Sequence, residues 1–76
     1  MTINPIILNH RHPGVVGLAR YFESDHLPPN LQEVSAPCGT LAENMIRHLP
    51  DGPELTAGLR KLLEAKDCFV RAALDK

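Results

Sequence analysis

Apolar positions recur at steps of three and four through most of this chain, and the series breaks at prolines. Leu31, Val34, Cys38, Leu41, Met45 and Leu49 form one such series, the heptad-like seam of an amphipathic helix. It predicts a helix over residues 28–48, opening at Leu27-Pro28-Pro29. Pro37 lies inside the run and removes one backbone hydrogen bond, so a kink or a break with a restart is expected there. Gly39 loosens the same turn. Leu49-Pro50-Asp51-Gly52-Pro53-Glu54 is the clearest punctuation: Asp51 or Gly52 can cap, Pro53 suits a first helical turn, and Glu54 complements the positive helix end. A last helix is predicted over 53–74, striped by Leu55, Leu59, Leu62, Leu63, Phe69, Val70 and Ala73. The connection is short, so the two long helices should be antiparallel neighbours.

Upstream the pattern is weaker. His12-Pro13 can start a short helix over 12–23, with Val15, Val16, Leu18, Ala19 and Phe22 as its apolar residues and Gly14 and Gly17 weakening it. Residues 1–11 lack periodicity and are interrupted by Pro5; they read as an arm, extended or partly ordered against a partner. No strand signal or internal repeat appears. The expected fold is all-α and single-domain: a short N-terminal helix followed by an antiparallel two-helix hairpin.

Length changes that picture. At 76 residues one hydrophobic core rarely supplies more than about 3–5 kcal/mol, and the usual remedies are disulfides, a metal or oligomerisation. Two cysteines, Cys38 and Cys68, allow one bridge at most and no zinc site. The opening MTINPIILNHRH has neither a long apolar run nor a cleavage pattern, so export is not expected, the compartment is reducing and the thiols should be free. No apolar run approaches the roughly 20 residues that cross a bilayer. Association with copies of itself is the remaining remedy, and a homo-oligomer is expected. The net charge of −1 argues against binding DNA or RNA polymers, but a small anion needs only a few local cations.

The last helix offers some. On a wheel of about 100° per residue, Thr56, Arg60, Glu64, Asp67 and Arg71 gather opposite the leucines. Arg60–Glu64 and Asp67–Arg71 are i,i+4 pairs, and a solvated face accounts for most of these residues. Lys66 does not fit that face, because it lies within about 20° of Leu55 and Ala73. It either snorkels to water or lines a gap between subunits where an anion is its partner. Arg20 beside Tyr21 suits phosphate with a stacked base; Phe22 in the core and Tyr21 at an interface is the plainer account. His26, just before Leu27-Pro28, can donate to an anion at the start of a helix or simply adjoin its cap. His10 and His12 make a thin case for a metal-binding arm, since no carboxylate or thiol lies nearby in sequence. Motifs for nucleophilic, acid–base or phosphate-loop chemistry are absent, so no enzyme, cofactor or metal is expected.

The order of a short helix, a break, Leu27-Pro28-Pro29, a helix, a tight turn and a last helix carrying Leu62-Leu63-Glu64-Ala65 and Val70-Arg71-Ala72 resembles the phage-encoded helical-hairpin proteins that sequester cyclic-nucleotide immune signals, the anti-CBASS and anti-Thoeris sponges. The resemblance covers roughly residues 20–74. It implies a hexamer in the host cytoplasm that holds cyclic dinucleotides between protomers and cyclic trinucleotides at threefold junctions, without chemistry, and so blocks antiphage signalling. The residues it points to are Arg20, Tyr21, His26, Arg60, Lys66 and Arg71. The family's aromatic three residues before Leu27 is Ser24 here, and Ala36, Gly39 and Thr40 stand where a basic residue is expected. These departures leave open a different ligand or a stacking role moved to Tyr21. The competing expectation is a ligand-free helical homo-oligomer or a protein-binding module of phage origin, with Lys66 snorkelling.

Overall fold

The computed structural model describes residues 1–75. Helices account for its regular structure: α1 (Pro13–Ala19), α2 (Pro29–His48) and α3 (Pro53–Leu74), with 3-10 turns at Pro5–Leu8 and Arg20–Phe22. Proline stands in the first turn of each α-helix, where its missing N–H would have no helical partner anyway. His12 caps α1, its Nδ1 accepting from the Gly14 amide at 2.9 Å. Among the described residues no helix is long and apolar enough to cross a membrane.

By their lengths α2 and α3 would span roughly 30 and 33 Å. The longest dimension of the molecule is 39 Å, so the two lie alongside one another, and they form its most extensive packing. α1 sits mainly on α3. The core lies where α1, the arm and the two long helices meet, around Phe22, Ile46, Leu59 and Val15, none of which is more than 2% exposed. Part of the core that the sequence assigns to self-association is therefore built within one chain.

Two expectations are corrected. First, α2 has no break and restart at Pro37 but continues through it as one helix. Pro37 and Glu33, whose carbonyl loses its amide partner, are both exposed, so water can take the vacant place. Second, the arm is ordered on its own chain rather than awaiting a partner. At its start the Met1 ammonium donates to Ser24 Oγ at 2.8 Å and pairs with the Asp25 carboxylate, while the Ser24 amide donates to the Met1 carbonyl at 2.9 Å. The Asn4 amide donates to Glu43 Oε1 at 2.8 Å. At its end Arg11 Nε meets Asp51 Oδ1 at 2.7 Å, and the same guanidinium donates to the Ile46 carbonyl at 2.6 Å and the Leu49 carbonyl at 2.7 Å. Those carbonyls belong to the end of α2, where backbone acceptors lack helical donors. His10 takes φ +62, a left-handed conformation that His tolerates better than most, and this turn delivers Arg11 to its partners. Gly39 is not a loose point but a close approach: a Cβ there would lie 3.0 Å from Met1 Cγ and 3.2 Å from the Phe22 carbonyl oxygen.

One flank stays bare. Leu41 and Met45 on α2, Leu49 just after it and Phe69 on α3 are all exposed. A cavity of about 480 Å³ lined by Leu41, Met45, Leu49, Gly58 and Leu62, and a second lined by Val34, Pro37 and Phe69, lie along this flank.

Candidate functional site

Arg20 and Tyr21 open the 3-10 turn that follows α1. The turn is anchored by Phe22, which is fully buried, so Tyr21 is forced outward and stands 64% exposed. The chain then dives again at Ser24, also fully buried, and His26 and Leu27 lead into α2. α3 passes beside this segment with Lys66, Asp67, Val70 and Arg71, two residues from each of two successive turns. Between them is a cavity of about 380 Å³ lined by Arg20, Tyr21, His26, Lys66 and Arg71 together with Glu23, Leu27, Asp67 and Val70. Its size is at the lower end of the range for small-molecule sites.

Five of the six residues selected from the sequence thus share one cavity. Arg60 does not: it lines a separate depression with His12, Thr56 and Pro53, roughly 16 Å of helix axis before Arg71. Glu23 and Asp67, which complete the charged lining, are not among those six. Asp67 was legible in principle, because it follows Lys66 directly; Glu23 carried no signal beyond its nearness to Tyr21.

Within one chain Lys66 finds a partner that neither expectation named. Its Nζ donates to the Tyr21 carbonyl at 2.6 Å and lies 3.4 Å from Asp67 Oδ1, with the side chain only 12% exposed. Lys66 therefore pins α3 to the 3-10 turn, and its ammonium, which carries three donors, belongs to a residue that also lines the cavity. The i,i+4 pairs Arg60–Glu64 and Asp67–Arg71 do not form. Asp67 turns to Lys66, and Arg71 donates to Cys68 Sγ at 3.4 Å. Among the described residues, Arg20, Arg60, Lys61 and Arg71 pair with no carboxylate. Two of these uncompensated guanidiniums, Arg20 and Arg71, line the same cavity, the arrangement that suits bidentate contact with phosphate.

Elsewhere the charges are committed to structure. The Met1 ammonium, then the Thr2 hydroxyl, hold Asp25 below the usual carboxylate range. The Arg11 guanidinium, then the His12 amide, do the same for Asp51. Burial pushes the Cys38 thiol up against the opposing charge of Lys66. Both thiols are free, Cys38 buried and Cys68 exposed. His12 is occupied as a cap, and among the described residues no three His, Cys, Asp or Glu side chains gather as a metal site would require. Comparison with models of known protein families matches none, and comparison with curated proteins and with solved structures likewise finds no similar chain.

Proposed function

We propose that this protein binds a cyclic di- or trinucleotide immune messenger and sequesters it without chemistry, in the cytoplasm of a phage-infected host, as a homo-oligomer of the hexameric kind. The observation that carries the reading is the convergence of Arg20, Tyr21, His26, Lys66 and Arg71 on one cavity, with both guanidiniums free of carboxylate partners. In this reading the arginines hold phosphate, the exposed Tyr21 ring stacks on a base, and the Lys66 ammonium closes the contact. α2 and α3 form the antiparallel hairpin, and its bare apolar flank is where copies meet. Exposed apolar side chains gathered on one flank suit an interaction site.

A sponge works by mass action, so it must hold its ligand below the concentration at which the effector responds. Thermal melts of the purified protein with a panel of cyclic di- and trinucleotides test the reading. A ligand present at about 100 times its Kd should add about 2.7 kcal/mol of stability. Arg20→Ala and Arg71→Ala should abolish that gain while leaving the unliganded melt unchanged. A panel flat throughout removes the reading.

The same flank favours a second reading, a helical assembly or protein-binding module without a nucleotide, in which Lys66 is solely the pin on the Tyr21 carbonyl. In that case sedimentation shows assembly and the nucleotide panel shows nothing.

A further inference from the structure

The cavity that gathers cations also presents a carboxylate with nothing to neutralise it. Of its two acidic residues, Asp67 is accounted for by Lys66. Glu23 is not: among the described residues its carboxylate makes no ion pair and no hydrogen bond, although Arg20 lines the same cavity three positions earlier in the chain. Glu23 is exposed, but its backbone is held. Its amide donates to the Arg20 carbonyl at 3.3 Å, and it is bracketed by Phe22 and Ser24, both fully buried. The backbone is therefore fixed on both sides, and it sets Glu23 at the rim of the cavity.

A site for phosphate alone gains nothing from an unpaired carboxylate, which repels the ligand. It becomes useful where the ligand also carries donors. An ionised carboxylate only accepts. Guanine presents two adjacent donors on one edge, N1–H and N2–H2, spaced to meet the two carboxylate oxygens side by side. Adenine and cytosine present one donor beside an acceptor, whose lone pair would face the second oxygen, and uracil places its single donor between two acceptors. We propose that Glu23 reads guanine, making the ligand of this cavity a guanine-containing cyclic nucleotide. The inference rests on the nucleotide reading above and narrows it.

Isothermal titration with cyclic di-GMP and cyclic di-AMP, on the wild-type chain and on Glu23→Gln, tests it. The wild type should prefer cyclic di-GMP at least about tenfold, the discrimination one good bidentate base contact supplies. In Glu23→Gln the side-chain amide offers one donor and one acceptor, which matches adenine, so the preference should vanish or reverse while cyclic di-AMP binding is kept or improved. Because among the described residues the Glu23 carboxylate makes no hydrogen bond or ion pair for the substitution to remove, the two proteins without ligand should melt together, which confirms that the variant is folded. Equal binding of both nucleotides by the wild type, or an unchanged ratio in Glu23→Gln, overturns the guanine assignment and leaves sequestration standing. Binding of no member of the wider cyclic-nucleotide panel overturns both.

Discussion

Lys66→Met separates the structural from the ligand-facing role of the most unusual residue on α3. The substitution keeps the aliphatic stem packed but removes the donor to the Tyr21 carbonyl, a 2.6 Å contact from a side chain only 12% exposed. A hydrogen bond from a charged donor contributes about 1.5–3 kcal/mol when buried, but the Tyr21 carbonyl lies on an exposed turn, where water can take the donor's place and reduce the loss. The Asp67 contact adds little, since Asp67 is 48% exposed and such pairs contribute under about 1 kcal/mol. A net loss of about 1 kcal/mol is expected, which for a domain of this size lowers the melting temperature by roughly 4–8 °C. Far-UV circular dichroism melts at fixed protein concentration measure it. A melting temperature within about 2 °C of the wild type would mean that Lys66 does not hold the 3-10 turn in solution. The two roles also separate: loss of stability alone marks a pin, whereas loss of nucleotide binding beyond what the destabilised population explains marks a contact with ligand.

Three further outcomes follow from the packing and the charges. Ser35 is fully buried and its hydroxyl has no partner, so Ser35→Ala should stabilise α2 by up to about 1 kcal/mol, through better helix propensity and a removed unpaired dipole; a lower urea midpoint would contradict this. Asp25 and Asp51 are held below their ordinary values by the Met1 ammonium and by Arg11, so the stability they contribute is present above the unfolded carboxylate range, about pH 4, and drains away as pH falls through the lowered folded values. Urea melts between about pH 5 and pH 2 should show this loss, and Asp51→Asn should make the dependence shallower. Iodoacetamide should modify Cys68, which is exposed, long before Cys38, which is buried and whose thiol is pushed up by that burial; mass spectrometry reading equal rates would show that α2 opens readily.

Periodicity carried the helices because it is a local property: apolar steps of three and four, with prolines in first turns, mark α1, α2 and α3 whatever they pack on. It could not reveal the arm. Arg11 is fixed by carbonyls at Ile46 and Leu49 and by Asp51, polar contacts between distant residues that leave no repeat in the sequence. Gly39 read as a weakness because helix propensity is intrinsic, whereas its use is the close approach of Met1 and Phe22. The cavity was largely legible because charged and aromatic side chains out of place on an apolar pattern stand out: Tyr21 beside core Phe22, and Lys66 inside a leucine stripe. Arg60 had the right chemistry but the wrong turn of the helix. The partner of Lys66 was illegible for the opposite reason, being a main-chain oxygen that no side-chain pattern encodes.

The first eleven residues are tied down twice, to residues 24–25 at one end and to the bend between the long helices at the other. A strap held at both ends cannot peel away gradually. The amides of Ile7, Asn9 and Arg11, which donate to carbonyls within the strap, should exchange more slowly than those of a free arm, and a protease should find no early cut there, although Ile6 at its middle lies open to water.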